Sequence, residues 1–328
     1  MRSRRVGGTA VTTLGYGAAQ LGNLYAAVDD ETAAGAVDAA WEAGIRYFDT
    51  APHYGLGLSE RRLGAALAGR PRNEFTVSTK VGRLLVPTPE RAGQTDDSFD
   101  VPAAYRREWD FSADGVRRCI DSSLTRLGLD RVDIVLLHDP DEHWEQAVCQ
   151  AYPALHELRS QGVIGAIGAG MNQWQMLERF VTETDIDVVM LAGRYTLLEQ
   201  TAQQTMLPRC RERDVSLLAA GVFNSGLLAT ESPPVDANYN YAPAPTALHA
   251  KAVRIAEVCE THGVTLPQAA IGFVAAHPAI ASVVLGARSA EQVTRNAELF
   301  AAGVPPELWS DLVSADLLPS DALVRTVR

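Results

Sequence analysis

The sequence predicts an α/β protein whose parallel sheet closes into a single (β/α)8 barrel, the TIM-barrel fold. Short apolar segments alternate with longer stretches of helical periodicity, and several of these segments contain almost no polar residue. Strands that helices cover on both faces have this composition. Eight such segments occur, and eight parallel strands close this barrel. An open doubly wound sheet is the rival arrangement, since periodicity alone does not separate an open sheet from a closed one.

The predicted elements are bounded by residues that suit their ends. The helix predicted at 112–127 begins at Ser112, a favourable N-cap, and ends before Gly128, which favours a C-terminal cap. The other predicted helices also end before glycine, and they span 30–43, 144–161 and 289–302. The predicted strands span 12–18, 45–49, 74–80, 132–138, 163–169, 187–192, 215–220 and 280–285.

Two proline-rich segments interrupt the alternation, at about 82–111 and 231–246. Each follows a predicted strand, so in a barrel each lies at the C-terminal face, where active sites are built. We therefore expect residues 1–328 to form one barrel domain that carries these two long loops.

The composition argues against several classes of partner. The formal net charge is -11 at pH 7, whereas nucleic acids and anionic membranes attract basic surfaces. No run approaches the ~20 apolar residues of a membrane span. The four cysteines are far apart in sequence, which argues against a zinc site or a disulfide framework and fits a reducing compartment. We expect a cytoplasmic monomer or small homo-oligomer that acts on a small molecule.

Residues 138–143 read His-Asp-Pro-Asp-Glu-His, which looks like a metal cluster. We expect a solvated loop and no bound metal, because residues so close in sequence do not easily surround one ion. The sequence also lacks the motifs of zinc hydrolases, serine hydrolases and P-loop proteins.

Four ionisable residues lie at the ends of consecutive predicted strands. Asp49 and Tyr54 follow the second strand, Lys80 ends the third and His138 ends the fourth. Adjacent strand ends meet at one rim of a barrel, so these side chains can converge there. Ionisable residues also end strands because solvent begins there, and this is the alternative interpretation of each residue taken alone.

These residue types suit the interconversion of a carbonyl and an alcohol. A tyrosine with a pKa of about 10 is a poor proton carrier at neutral pH. A neighbouring lysine favours the phenolate and lowers that pKa, and a carboxylate holds the lysine in place. The histidine can then orient the substrate oxygen for proton transfer.

Residues 48–55 read Phe-Asp-Thr-Ala-Pro-His-Tyr-Gly. This segment resembles the signature of the aldo-keto reductases, and Lys80 and His138 match the lysine and histidine of that family in order and spacing. The resemblance extends over about residues 6–300 and implies hydride transfer between a substrate and NAD(P). It implies that Tyr54 is the general acid/base, that Lys80 and Asp49 tune its pKa, and that His138 positions the substrate.

Residues 82–85, 169–174 and 191–200 resemble a branch of this family that contains L-fucose (D-threo-aldose) dehydrogenases and pyridoxal 4-dehydrogenases. This resemblance implies oxidation of an aldose, such as L-fucose or D-arabinose, at C1 to the lactone. A pyridoxal 4-dehydrogenase or a general carbonyl reductase is the alternative within the enzyme class. A nucleotide-binding regulatory subunit is the alternative outside it.

The sequence has no Rossmann fingerprint. The resemblance instead implies that the loop after the seventh strand holds the pyrophosphate of the cofactor. It implies that the loop and helix after the eighth strand hold the adenosine, where an arginine at a helix N-terminus suits a negative group. The expected cofactor-binding residues are Asp49, Asn172, Gly221, Phe223, Gly226, Leu227, Gly286, Arg288, Gln292 and Asn296.

NADPH-dependent relatives commonly bind the 2′-phosphate through a lysine and an arginine. Gly286 and Gln292 occupy those positions here, which leaves Arg288 as the obvious cation and favours NAD over NADP. We expect Tyr25 and Trp109 to contact the substrate together with Tyr54 and His138. Three small residues near the mouth of the barrel leave room for a ring, and three charged residues of the 82–111 segment can bind its hydroxyls. The small residues are Ala19, Ala192 and Ala220, and the charged ones are Arg83, Asp96 and Asp97.

Overall fold

The computed structural model describes residues 1–240 and 242–322. Eight parallel strands form a closed barrel in sequence order, and the last strand pairs with the first. The predicted fold class is therefore confirmed, and the open sheet is excluded. The strands are β1 (Leu14–Gly17), β2 (Tyr47–Asp49), β3 (Thr76–Val81), β4 (Ile134–His138), β5 (Ala166–Met171), β6 (Val188–Ala192), β7 (Ser216–Ala220) and β8 (Ile280–Gly286).

The helices surround the barrel, and their ends follow the capping residues. Ser112 accepts a hydrogen bond from the backbone of Gly115 at 2.9 Å, and Gly128 has a φ of +63° after the last helical residue. The helices are α1 (Asp30–Glu42), α2 (Leu58–Leu67), α3 (Ala113–Leu127), α4 (Tyr152–Ser160), α5 (Trp174–Glu183), α6 (Met206–Glu212), α7 (Thr246–Thr261), α8 (Leu266–Ala275), α9 (Ala290–Ala302) and α10 (Pro306–Ser314).

The predicted helix at 144–161 is not continuous. It consists of a single turn at Trp144–Gln146, a π-helical turn at Ala147–Ala151, and then α4. Pro153 lies at the start of α4 and has no amide hydrogen to continue the regular helical bonds, so the wider turn falls just before it.

Two apolar layers hold the barrel together. The larger layer lies between the strands and the helices, and the smaller one fills the barrel interior. An antiparallel hairpin, Ser3–Val6 with Thr9–Thr12, contributes Val6 and Val11 to the interior layer. The sequence analysis assigned residue 12 to the first barrel strand, whereas Thr12 belongs to this hairpin and β1 begins only at Leu14.

Both long loops contain a short hairpin of their own. In the first, Arg83–Pro87 pairs with Tyr105–Trp109 directly after β3, and in the second, Asn238–Tyr239 pairs with Ala242–Pro243 after β7. Both hairpins therefore follow strand ends at the rim that carries Asp49 and His138. None of the helices within the described ranges is long and apolar enough to cross a membrane.

The tight interior predicts which glycine the barrel requires. A Cβ added at Gly168 in β5 would lie 1.7 Å from the Val188 carbonyl oxygen, whereas a Cβ at Gly35 in α1 meets no atom within 4 Å. We expect Gly168→Ala to lower the free energy of unfolding by about 3 kcal/mol or more, because the strands must separate. Gly35→Ala should raise it by about 0.5–1 kcal/mol through helix propensity. Urea denaturation measures both, and equal effects of the two substitutions would contradict this packing.

Candidate active site

The structure brings the four predicted residues together at the C-terminal rim of the barrel. Asp49 is the last residue of β2, Lys80 lies in β3, and His138 is the last residue of β4. Tyr54 lies in the turn between β2 and α2. Because β2, β3 and β4 are neighbours in one parallel sheet, their ends emerge side by side.

Lys80 is the centre of this group. Its ammonium donates to Asp49 Oδ2 at 2.7 Å, to the Thr50 carbonyl at 3.0 Å and to Tyr54 Oη at 3.1 Å. The side chain is 2% exposed, so each of its three N–H groups needs the acceptor that it has. Ser78 donates to the other oxygen of Asp49 at 2.7 Å and fixes that carboxylate. Ser78 was not among the predicted site residues, although it lies two residues before Lys80 on the same face of the strand.

Burial and charge act in opposite directions on these groups. Burial disfavours the Lys80 ammonium, but Asp49 and Tyr54 more than compensate, so the pKa of Lys80 is raised. Burial also raises the pKa of Tyr54, and the lowering effect of Lys80 is smaller than that of burial. The expectation that Lys80 brings the tyrosine pKa below its usual value is therefore wrong in its net sign. Tyr54 carries its proton at neutral pH.

Two close backbone contacts position Tyr54. A Cβ added at Gly22 would lie 2.5 Å from the carbonyl carbon of Tyr54, and one at Gly55 would lie 2.4 Å from the Gly22 oxygen. Gly55 also has a φ of +62°, a conformation that glycine adopts without strain. The loops after β1 and β2 therefore pack backbone against backbone beside the tyrosine. Ser59 Oγ, in α2, strengthens this contact by donating to the Ala18 carbonyl at 2.6 Å.

His138 and His53 form a pair of neutral imidazoles next to Tyr54. Their ring centres are 5.6 Å apart, and the His138 ring is 5.9 Å from that of Tyr54. Burial and nearby cations hold the pKa of both histidines far below the usual range. Each Nδ1 is buried and has no hydrogen-bond partner within residues 1–240 and 242–322. We assign the proton of each ring to Nε2, because a buried N–H without an acceptor is costly.

The first long loop forms one wall of the site. Phe99 packs against the His53 ring at 5.2 Å and the Tyr54 ring at 6.2 Å. Asp96 and Arg107 hold this wall through two hydrogen bonds of 2.6 and 2.9 Å, and Arg107 also donates to the His53 carbonyl at 3.2 Å. Asp96 was expected to bind substrate hydroxyls. Its carboxylate instead accepts from Arg107 and from two loop amides.

A second ion pair borders the site on the β4 side. Arg83 binds the Asp139 carboxylate, and Asp139 Oδ2 lies 3.6 Å from His138 Nε2. The Arg83 guanidinium also stacks 4.4 Å from the ring of Trp109, which is 46% exposed. The 138–143 segment was expected to be a solvated loop, but its Asp139 is held in this pair.

The two aromatic residues expected at the substrate both lie in loops that border the site. Trp109 stacks on the Arg83 guanidinium, which borders the site. Tyr25 is 56% exposed and follows Leu24, which forms a β-bridge with Phe99. Among the described residues, no three His, Cys, Asp or Glu side chains are close enough to hold a metal ion.

The loop after β7 contains two glycines with a positive φ. Gly221 and Gly226 have φ values of +63° and +99°. Phe223 is half-buried against the core, and the side chain of Leu227 is fully buried, so only the main chain of Leu227 is available to a ligand. Asn172, at the end of β5, donates to the Ala192 carbonyl at 3.1 Å and joins the ends of β5 and β6.

The residues expected at the adenosine lie at the start of α9. Ser289 caps this helix, and the Gln292 side chain accepts from the Arg288 amide at 3.0 Å. Gly286 is exposed, and Arg288 and Asn296 are half-buried. Arg295 was not among the predicted residues; it donates to the Ala229 carbonyl at 3.1 Å and ties α9 to the loop after β7. Its spacing of three residues from Gln292 places it on the same helix face and was the available signal.

Comparisons with known proteins agree with this geometry. The sequence model of the Aldo/keto reductase family matches residues 13–316. A D-threo-aldose 1-dehydrogenase from Pseudomonas sp is 51% identical over 95% of this chain and 96% of its own length. A pyridoxal 4-dehydrogenase from Microbacterium luteolum is 38% identical over the same shares. The holo form of an aldo-keto reductase from Bacillus halodurans superposes with a TM-score of 0.78 at 25% identity, covering 100% of this chain and 99% of that one.

The family model matches most of the chain, the two relatives are similar over nearly their full length, and the observed barrel agrees with both findings. This chain belongs to the aldo/keto reductase family and is an oxidoreductase that acts on a CH–OH or carbonyl group.

Proposed function

We propose that this protein oxidises a free aldose, of the L-fucose or D-arabinose type, at C1 to the lactone with NAD(P) as the cofactor. The observation that carries the proposal is the buried contact of Lys80 with both Asp49 and Tyr54. It gives one tyrosine hydroxyl a fixed position and a charged neighbour, as a proton-transfer group requires.

In this reaction Tyr54 is the general acid/base. In the oxidation direction the phenolate form of Tyr54 takes the proton of the C1 hydroxyl as C1 loses hydride, and in the reverse direction the Tyr54 hydroxyl donates that proton to the substrate oxygen. Lys80 stabilises the phenolate form, while Asp49 keeps the lysine charged and in place. His138 donates from Nε2 to the substrate oxygen and aligns it with Tyr54.

The chain has groups that fit a nicotinamide dinucleotide, which supplies the hydride acceptor when bound. Among the buried side-chain oxygens that lack a partner in the described part of the chain are Gln20 Oε1 and Asn224 Oδ1. Gln20 lies beside Gly286, where a Cβ would come within 2.4 Å of its amide oxygen, and Asn224 lies in the loop after β7. Hydroxyl or amide groups of the cofactor can satisfy both acceptors. The proposed contacts also include Asp49, Asn172, Gly221, Phe223, Gly226, Leu227, Gly286, Arg288, Gln292 and Asn296.

The shape and polarity of the mouth favour an aldose. Ala192 and Ala220 pair across the ends of β6 and β7, so this side of the mouth is open to a ring. Arg83 and Arg107 lie in ion pairs with Asp139 and Asp96 next to the site, and their side chains are 14% and 20% exposed. Polar groups of this kind favour a substrate that brings hydroxyl groups. The relative with 51% identity is named for an aldose, which supports the same choice.

Pyridoxal is the second candidate. The relative with 38% identity is named for it, and the cyclic hemiacetal of pyridoxal presents a carbon similar to C1 of a sugar.

For the compartment we propose the cytoplasm, since all four cysteines are free and three of them are buried thiols.

The first prediction tests the acid/base role. Tyr54→Phe removes the transferable proton and leaves the ring, so turnover should fall by ~10²–10⁴ with little change in cofactor affinity. Steady-state kinetics and cofactor titration measure the two effects. Near-normal turnover in a folded variant would rule Tyr54 out.

The second prediction concerns pH. Lys80→Met removes the cation that lowers the Tyr54 pKa and leaves the Asp49 charge, which raises it. Less phenolate then exists at any given pH, so the pH profile of aldose oxidation should move upward. Lys251, the only other lysine of the sequence, bonds to the Leu198 carbonyl away from the site, and Lys251→Met should leave the profile unchanged. An unmoved profile in Lys80→Met would contradict the assigned role.

The third prediction concerns the cofactor. A 2′-phosphate that lacks two charged partners loses ~1.5–3 kcal/mol for each of those hydrogen bonds, so NAD should give a kcat/KM at least equal to that of NADP. Arg288→Ala should reduce kcat/KM for NADP more than for NAD. A strong preference of the unmodified protein for NADP would overturn this assignment.

The fourth prediction separates the two substrates. With NAD, the protein should convert L-fucose or D-arabinose to the aldonolactone, and deoxy sugars should react much more slowly because they leave polar groups unpaired. Mass spectrometry identifies the products. Clean conversion of pyridoxal to its lactone, with every aldose inert, would replace the aldose proposal.

A further inference from the structure

The cations around Tyr54 are all matched by carboxylates. Lys80 is paired with Asp49, Arg107 with Asp96, and Arg83 with Asp139. These side chains are mostly buried, so solvent screens their charges little. An anionic substrate would therefore meet no unpaired cation at this wall, and it would meet the negative charge of Asp139 near the reacting oxygen.

The Arg83–Asp139 pair is the one that lies next to His138, the residue proposed to hold the substrate oxygen. Asp139 follows His138 directly, and its φ of +44° is unusual for a residue with a side chain. Strained backbone of this kind is concentrated at functional positions. The pair also lies beside Trp109, whose ring is 46% exposed.

The same pair has the hydrogen-bonding capacity that a hydroxyl needs. Arg83 has N–H groups beyond the one that binds Asp139, and the Asp139 carboxylate has lone pairs beyond those that Arg83 uses. A hydroxyl group donates one hydrogen bond and accepts others, so it can satisfy both sides of the pair at once. A carboxylate or phosphate group can only accept hydrogen bonds, and the Asp139 carboxylate would repel its negative charge.

We infer, on the basis of the proposed function, that the Arg83–Asp139 pair determines substrate specificity. It binds hydroxyls of an uncharged sugar beside Trp109, and Asp139 excludes anionic sugars such as hexuronic acids and sugar phosphates by neutralising Arg83. Specificity then comes from a repulsive element as well as from attractive contacts.

The test compares kcat/KM with NAD for a neutral hexose and for the matching hexuronic acid. The unmodified protein should prefer the neutral sugar by at least about 100-fold, because a like charge in a desolvated site is strongly unfavourable. Asp139→Asn should reduce that preference at least about tenfold, because it leaves Arg83 as a free cation. Asp141→Asn is the matched control, since it removes the same charge from the same loop and leaves the Arg83 partner in place.

An unchanged ratio in Asp139→Asn, or an equal change in Asp141→Asn, would overturn the inference while aldose oxidation still stands. If no neutral aldose reacts with the unmodified protein, the proposed function itself fails.

The Arg83→Gln variant provides a second, independent test if the Asp139→Asn variant does not fold. It leaves Asp139 unpaired, so the ratio of kcat/KM for a 2-amino-2-deoxyhexose to that for the neutral hexose should rise at least about tenfold. An unchanged amino-sugar ratio would also overturn the inference.

Discussion

The site depends on one buried ion pair, between Lys80 and Asp49, that also contacts Tyr54. Removing two charges from water is costly, and only a complete set of partners makes such a pair tolerable. Here the lysine has three acceptors, and Ser78 and Lys80 occupy the two oxygens of Asp49. The pair therefore remains charged inside the protein, and its position fixes the tyrosine hydroxyl.

The barrel supplies this arrangement through strand order. β2 and β3 are neighbours, so residues at their ends lie within hydrogen-bonding distance without any long connection. The tyrosine comes from the following turn, and glycine contacts between two loops hold it. The loop that supports Tyr54 follows β1 and lies beside it because β1 and β2 are also neighbours.

The fold and the four central residues could be predicted from the sequence because their signals are local. Apolar strands, capped helices and residues at strand ends are visible within short windows. The pairs that shape the substrate wall were not predictable in this way. Arg107 meets Asp96 across an irregular loop, and Arg83 and Asp139 are separated by a whole helix. The sign of the Tyr54 pKa shift was also missed, because it depends on how deeply the hydroxyl is buried.

The central claim is that Tyr54 is a buried phenol whose proton is held beside a permanently charged lysine. The most direct test is an NMR titration of the protein with carbon-13 at the tyrosine ring, with Tyr54→Phe used to identify the Tyr54 signal. The account predicts that Tyr54 titrates above the usual tyrosine pKa of about 10, because burial outweighs the effect of Lys80. A Tyr54 pKa well below that value would contradict it, since Lys80 would then dominate and the site would hold a phenolate near neutral pH.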